Sequence, residues 1–152
     1  MKAKKFDFVW GNAPDVTKGK DGKKARPLFV LMVTRSVLRN ESGKDELTEV
    51  YLCAYSTTQV DKVSAAHARK DGDWFYSSEQ AAAMFAEAKD AGLHKPGVFR
   101  FSTGAVFAIP AWDVKKKLGS LGLLESGNGF SGELARSLKV KTTALLSQFS
   151  PR

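Results

Sequence analysis

The sequence predicts a mainly β fold with a few helices, and three features carry that prediction. Residues 28–33 form a six-residue apolar run of large side chains, a length that suits a strand buried on both faces, since a helix needs about ten or more. Residues 6–10 place three aromatic side chains on one face with a period of two, as in a half-buried strand. Residues 50–55 form a further apolar run of strand length.

Length and composition indicate one small basic domain. The chain has 152 residues and 43% hydrophobic content, which is enough to bury a single core. Its 24 Lys and Arg residues against 16 Asp and Glu residues give a formal net charge of +8. This charge favours polyanionic partners such as nucleic acid, although a basic surface that only confers solubility is also common. The excess is concentrated in residues 1–26, around the start of the long apolar strand.

The single cysteine, Cys53, excludes an internal disulfide and suits a reducing compartment. Its apolar neighbours predict an inert core residue. No apolar run approaches the roughly 18 residues that a membrane span requires, and the N-terminus lacks the apolar segment of a secretory signal. We therefore expect a cytoplasmic protein without a membrane partner.

The residues before the long apolar strand are basic and flexible in character. Residues 11–15 are expected to end the first strand, and residues 17–25 combine two glycines with four lysines and no apolar anchor, which predicts a mobile loop. A solvated charged loop and a loop that contacts phosphate both match this pattern. Pro27 has no N–H for a sheet ladder and suits the first position of the strand. Arg26 then lies at the edge of the folded body, where it can meet an anion.

A long hairpin is expected after the apolar strand. Residues 34–49 are polar and contain the turn signal Asn-Glu-Ser-Gly at 40–43, after which the strand 50–55 returns. That strand ends in four consecutive hydrogen-bonding side chains at 56–59. Such a cluster is typical of a surface strand end, and it is also suited to a binding site.

One helix has a clear start signal. Residues 60–76 show no period and are expected to be irregular. Ser77 and Gln80 form a capping-box signature, and an Ala-rich helix is expected to run from there to Lys89. Its apolar stripe, which is typical of a core-facing helix, consists of Ala81, Met84, Phe85 and Ala88.

The last third of the chain is predicted to begin with strands over 98–110. Alternation there directs Phe99 and Phe101 to one side, so Arg100 points to solvent or to a site. Residues 112–118 are expected to form a short helix, because an aspartate in the first turn and three lysines near the end suit the helix dipole.

A glycine-bearing stretch and an amphipathic segment follow. Five glycines between Gly119 and Gly132 predict a flexible connection. Residues 133–149 are expected to form a helix that docks either on the rest of the chain or on a partner, because they place on one side Leu134, Leu138, Leu145 and Phe149.

Two common types of site are not expected. His67 and His94 lie far apart in the sequence and the only thiol is predicted to be buried, so we expect no metal site. The glycines of the lysine-rich loop lack the spacing of a nucleotide-binding P-loop, and that loop does not join a strand to a helix.

Four segments together resemble the MazF/PemK (Kid) toxins of bacterial toxin–antitoxin modules. They are the strand 6–10, the lysine-rich loop running into 26–31, the strand end 56–59, and 95–101 with 108–110. Each segment is short, and the resemblance rests on their order and spacing. Residues 34–49, residues 60–94 and the C-terminal segment have no clear counterpart.

The resemblance implies a small SH3-like β-barrel of the CcdB/Kid/MazF type with two or three peripheral helices. Residues 1–118 would form the barrel domain with a helical insertion around 77–91. Residues 119–132 would form the Gly-rich connection, and residues 133–152 a C-terminal helical segment. Proteins of this type are usually homodimers, cleave single-stranded RNA without a metal ion or other cofactor, and are neutralised by an antitoxin protein.

The resemblance also implies site residues. Arg26 matches the family's catalytic arginine before proline, and Thr57 matches the threonine of its strand-end motif. Arg100 matches a further arginine of the Kid-type branch. The residues expected to contact RNA are Lys20, Lys23, Lys24, Thr58, Gln59 and Ser102.

The chain departs from this pattern at the groups that move protons. The Kid-type branch has an aspartate two residues after the arginine that matches Arg100, and this chain has Ser102, which cannot take the same role at neutral pH. The family's loop histidine has no equivalent in residues 17–25. His67 and His94 are the remaining candidates for a general base, although a lone histidine is more often structural.

Metal-free RNA cleavage uses the 2′-OH as nucleophile, so it needs a base for that proton, an acid for the 5′-oxygen and cationic donors at the phosphate. Arg26 suits the last of these roles, because its pKa above ~12 makes it a poor base and its planar group binds phosphate in a bidentate manner. Thr57 adds a neutral hydrogen bond.

Three functions therefore remain open from the sequence. The first is a sequence-specific endoribonuclease (mRNA interferase) toxin that inhibits growth. The second is a catalytically weakened barrel that binds nucleic acid or a protein partner without cleavage. The third is a gyrase-directed poison built on the related barrel. Only the first predicts RNA cleavage in EDTA.

Overall fold

The computed structural model describes residues 2–14, 22–58, 73–88, 93–102, 104–127 and 129–149. The strands are β1 (Asp7–Pro14), β2 (Lys23–Arg39), β3 (Asp45–Thr57), β4 (Asp73–Tyr76), β5 (Gly97–Arg100), β6 (Phe107–Pro110) and β7 (Val114–Ser120). The helices are α1 (Ser78–Met84), α2 (Leu121–Glu125) and α3 (Phe130–Ser147), and a 3-10 turn (Ala111–Asp113) precedes β7. This architecture confirms the predicted mainly β fold with helices.

The strands form one antiparallel sheet in the order β4-β5-β3-β2-β1-β7, with β6 added to β3. Strand β3 is shared: β2 pairs along one side, while β6 and β5 pair along the other. Among the described residues, β4 and β7 lie at opposite ends of this order and do not pair with each other. The sheet is therefore not closed there, and the SH3-like barrel stays a prediction.

Hydrophobic residues pack on both faces of the sheet. The helix-side core contains Phe8, Phe29, Leu31 and Phe99 together with residues of all three helices. The core on the other face, named the turn-side core because Ala111 of the 3-10 turn packs against it, contains Val9, Leu28, Val30, Tyr51, Cys53, Ile109 and Val114. The predicted strand 28–33 thus contributes to both cores through alternate residues, and each fully buried Leu or Phe side chain contributes about 1.5–3 kcal/mol of transfer free energy.

Aromatic contacts define the centre of the helix-side core. The rings of Phe8 and Phe29 stack with centroids 4.8 Å apart, and Phe101 lies 5.9 Å from Phe29. Phe85, which follows α1, meets Phe8 edge-on at 5.8 Å. Such pairs add about 0.5–1.5 kcal/mol each beyond the area that they bury. They fix β1, β2 and β5 against α1.

Strands β1 and β2 are longer than expected at the basic end. Strand β1 continues to Pro14, so the turn predicted at 11–15 is wrong for the residues up to Pro14. Strand β2 begins at Lys23, so its first residues are not part of a loop, and Pro27 is an interior residue of the strand. Pro27 is tolerated because β2 pairs with β3 only from Leu28 onward, so the missing N–H leaves that ladder intact.

The predicted long hairpin is confirmed. Strands β2 and β3 pair from Leu28 and Tyr55 out to Arg39 and Asp45, and the turn follows at the predicted Asn-Glu-Ser-Gly sequence. The side-chain oxygen of Asn40 accepts backbone N–H groups across the turn, and Gly43 has a φ of 83°, a conformation that favours glycine.

The capping box is also confirmed. The Ser77 hydroxyl accepts the Gln80 N–H, and the Gln80 side chain accepts the Ser77 N–H. The predicted stripe is buried, but α1 ends at Met84 instead of Lys89, because Phe85 leaves helical geometry as its cap. Before the helix, Asp73–Tyr76 is a strand, which corrects the irregular structure expected for the last part of 60–76.

The predicted helix at 112–118 is wrong, because Val114–Ser120 is the strand β7, paired with β1. The expectation gave Asp113 a role at a helix start. Instead, its carboxylate accepts a charged hydrogen bond from Lys23 at 2.9 Å and fastens the 3-10 turn to β2. The lysines of β7 remain exposed on an edge strand, where charge discourages pairing with another chain.

The C-terminal helix docks on the same chain. Leu134, Leu138 and Leu145 of α3 are buried in the helix-side core, so the amphipathic prediction for 133–149 is confirmed. Helix α2 lies within the stretch expected to be a flexible connection. None of the helices in the described ranges is long and apolar enough to cross a membrane.

Cys53 is buried, as predicted. Burial raises the pKa of its thiol to about 12, so the thiol is neutral at physiological pH and unreactive as a nucleophile. Tyr51 in the same core accepts the Ala3 N–H at 2.8 Å and donates to Glu49, and burial raises the pKa of its hydroxyl to about 12. The hydroxyl thereby holds the N-terminal segment to the sheet.

The contact between β7 and α1 gives a test of the fold. Gly119 passes so close to the end of α1 that a Cβ there would overlap the Met84 carbonyl oxygen. Gly119→Ala is therefore expected to lower the free energy of unfolding by about 1–3 kcal/mol. Gly104→Ala is the matched control, since nothing lies within 4 Å of its added Cβ. Urea unfolding that finds both variants equally stable would show that this packing is wrong.

Candidate functional site

The site arises where strands β2 and β3 separate. Their pairing ends at Leu28 and Tyr55. Beyond that point β2 pairs only with β1, which places Arg26 opposite Gly11. Strand β3 turns instead to β5, where Thr57 pairs with Val98. A gap therefore opens between the start of β2 and the end of β3.

A pocket of about 220 Å³ occupies this gap. It is lined by Trp10, Lys24, Ala25, Arg26, Pro27, Ser56, Thr57, Thr58 and Leu93. The two residues that the sequence placed at separate strand ends, Arg26 and Thr57, thus line one pocket. Lys24 and Thr58, both expected to contact RNA, line it as well.

The charge in the pocket comes from β2. Lys24 and Arg26 occupy alternate positions of the strand and so lie on the same face. Lys24 is exposed and Arg26 is half-buried, and both line the same pocket. Cationic groups at this spacing suit the oxygens of a phosphate.

The hydroxyl groups come from the end of β3. Ser56 is buried, and its hydroxyl is hydrogen-bonded to the hydroxyl of Tyr76 in the helix-side core. Burial raises the pKa of Tyr76, and the hydrogen bond with Ser56 opposes that rise. Thr57 is half-buried and Thr58 exposed, so both lie nearer to solvent than Ser56.

A chain of contacts runs from Arg26 to β4. The guanidinium carbon of Arg26 lies 5.3 Å from the centre of the Tyr55 ring, within range of a cation–π interaction. Arg100 donates from Nη1 to the Tyr55 hydroxyl at 3.4 Å and from Nε to Asp73 Oδ1 at 2.8 Å. Tyr55 therefore lies between the two arginines.

The ion pair at the end of this chain is buried. The side chains of Arg100 and Asp73 are 12% and 1% exposed. Asp73 Oδ2 has no hydrogen-bond partner among the residues that the structure describes. Arg100 is thus neutralised by Asp73 and does not line the pocket.

The other expected site residues that the structure describes do not line the pocket. Ser102 follows β5, is half-buried and does not line the pocket, and Lys23 is paired with Asp113. His94 is exposed next to the lining residue Leu93. Lys20, Gln59 and His67 lie outside the described residues.

Three residues of this region were not singled out by the sequence. Trp10 looked like one member of a core-facing alternation, and Tyr55 looked like an ordinary strand residue. Asp73 was in a stretch expected to be irregular, although the run Asp-Trp-Phe-Tyr at 73–76 is rich in aromatic residues, which favour strands. That run was the signal for β4 and for a carboxylate beside Arg100.

Comparison of the chain with protein-family models, curated proteins and solved structures finds no match. The resemblance to the MazF/PemK toxins therefore stays a prediction from the short segments named above. Within the described ranges, no group of three or more His, Cys, Asp or Glu side chains is arranged to hold a metal ion.

The buried ion pair leads to a stability prediction. Asp73→Ala leaves the Arg100 charge buried without its partner, so it is expected to cost about 3–5 kcal/mol of unfolding free energy. Asp45→Ala is the control. Its ion pair lies in solvent, since the side chains of Arg39 and Asp45 are 74% and 65% exposed, and such a pair contributes at most about 1 kcal/mol to the free energy of unfolding. Urea unfolding measures both variants. Equal losses of unfolding free energy in the two variants would contradict the burial of the pair between Arg100 and Asp73.

Proposed function

We propose that the protein is a metal-independent, sequence-specific endoribonuclease that cleaves single-stranded RNA, a growth-inhibiting toxin of the MazF/PemK (Kid) type on an SH3-like barrel. The observation that supports this proposal is the shared pocket of Arg26 and Thr57, the two residues that match the family's motifs. Lys24 in the same pocket and the net charge of +8 favour a polyanionic substrate.

The chemistry of metal-free RNA cleavage gives Arg26 and Thr57 distinct roles. The 2′-oxygen attacks phosphorus and loses its proton to a base, the bond from phosphorus to the 5′-oxygen breaks, and an acid supplies a proton to that oxygen. Arg26 stabilises the negative charge that builds up on the phosphate oxygens, and Thr57 donates a neutral hydrogen bond to them. The products are a 2′,3′-cyclic phosphate and a 5′-hydroxyl.

His94 is the general base that we propose among the described residues. It is exposed and adjacent in sequence to Leu93, which lines the pocket. Histidine is the side chain best suited to proton transfer at neutral pH. Ser102, at the position of the family's aspartate, does not line the pocket.

The biological setting forms part of the same proposal. We propose a cytoplasmic homodimer that is held inactive by a cognate antitoxin protein. These elements are supported by the sequence resemblance. The exposed basic groups around the pocket suit an acidic antitoxin segment, because such a segment would occupy the place of RNA.

A second candidate is a weakened barrel that binds nucleic acid or a protein partner without cleavage. It is favoured by the pairing of Arg100 with Asp73 and by the position of Ser102 outside the pocket lining. Loss of a positioned acid or base costs roughly 10²- to 10⁴-fold in rate. Such a protein would retain salt-sensitive binding through Lys24 and Arg26.

Cleavage in EDTA separates the two candidates. The wild-type protein is expected to cut a panel of single-stranded RNAs in EDTA and to leave 2′,3′-cyclic phosphate ends. Arg26→Ala is expected to lower kcat/KM by about 10²- to 10³-fold, and Thr57→Ala by about 10-fold, since it removes one neutral hydrogen bond. Arg39→Ala, at the exposed hairpin end, should match the wild type. Intact RNA across the panel would exclude the nuclease.

A further inference from the structure

Trp10 is a half-buried aromatic residue that lines the pocket. It lies in β1 between Pro27 of β2 and Lys116 of β7. Phe8, two residues earlier on the same face, is fully buried, whereas Trp10 is only half-buried and lines the pocket. One side of the indole packs on the helix-side core, which leaves part of the ring toward the opening.

The pocket consequently has two different sides. Arg26 lies against Tyr55, which packs on the turn-side core, whereas Trp10 packs on the helix-side core. The lining therefore combines cationic and hydroxyl groups (Lys24, Arg26, Thr57 and Thr58) with apolar ones (Trp10, Pro27 and Leu93). Its volume of about 220 Å³ is smaller than the roughly 300–1,000 Å³ of sites that enclose a whole small molecule. A pocket of this size suits one unit of a longer polymer. That unit would carry both an anionic group and a flat apolar group.

We propose that Trp10 is a base-stacking residue, on which an unpaired nucleobase stacks while the adjacent phosphate contacts Arg26 and Lys24. The proposal rests on the proposed action on nucleic acid and identifies the form that is bound. Proteins that bind single strands combine a cationic groove with aromatic side chains on which bases stack. A base in a duplex is stacked on its neighbours and does not reach the indole.

The neighbouring strand extends the same surface. Lys116 is the cross-strand partner of Trp10, and the lysines on either side of it, Lys115 and Lys117, are exposed on the edge of the sheet. Lysines of β7 therefore lie beside Trp10, and Lys117 among them forms an ion pair with Glu87 at 3.5 Å. A single strand that follows these lysines crosses β1 with a base over the indole, and binding depends on salt.

The test uses the full chain and a fluorescent single-stranded DNA oligonucleotide, which lacks the 2′-OH and is not cut. Trp10→Leu keeps an apolar side chain on the core but removes the aromatic surface, and it is expected to weaken binding about 5- to 150-fold. Trp10→Phe retains a ring and should stay within about 5-fold of the wild type. Trp112→Leu, which lines a different pocket, is the control and should bind as the wild type does.

The outcomes separate this inference from the nuclease proposal. Equal affinities of Trp10→Leu and the wild type would overturn the stacking role, as would wild-type binding that is no tighter to single strands than to duplex. A wild-type protein that binds neither single-stranded nor duplex nucleic acid would also overturn the stacking role of Trp10. Binding that depends on the ring at position 10, in a protein that leaves RNA intact in EDTA, would support stacking and exclude the nuclease. Thermal unfolding of each variant confirms that it is folded.

Discussion

Strand β3 has to satisfy the backbone hydrogen bonds on both of its sides, and it does so by pairing with three different strands. Along one side it pairs with β2 as far as Leu28 and Tyr55. Along the other it pairs with β6 over Val50–Cys53 and then with β5 at Ser56 and Thr57. Buried polar backbone groups need hydrogen-bond partners. Strand β3 takes β5 as a partner where its pairing with β2 ends, and this change of partner fixes the point where β2 and β3 separate. The pocket lies at that point.

Packing and charge hold the two sides of the pocket in place. The stacked rings of Phe8 and Phe29 anchor β1 and β2, while the buried Ser56 hydroxyl holds the end of β3 to Tyr76. Arg26 lies against Tyr55, and Tyr55 is in turn contacted by Arg100. An arginine supported in this way loses little further side-chain entropy when a phosphate binds.

Local signals in the sequence predicted much of this arrangement. The capping box at Ser77 and the turn at 40–43 each act over a few residues, and the structure has both. The strand expected at 6–10 begins at Asp7, and it is buried on both faces instead of one, because Phe8 and Val9 pack in different cores. The lysines of β7 predict a helix because they suit a helix dipole, but these residues form a strand because they pair with β1, which is distant in sequence. Asp73 was overlooked for the same reason, as its partner Arg100 comes from another strand. Non-local pairing overrides local propensity at these positions.

The proposed ribonuclease requires that Arg26 and Thr57 act on one phosphate. A double-mutant cycle tests it most directly, with kcat/KM for single-stranded RNA in EDTA measured for the wild type, Arg26→Ala, Thr57→Ala and the double variant. If both side chains contact the same phosphate, the double variant loses less than the sum of the single losses, with a coupling of about 0.5–3 kcal/mol. Losses that add within about 0.5 kcal/mol, or a wild type without cleavage, would contradict the claim.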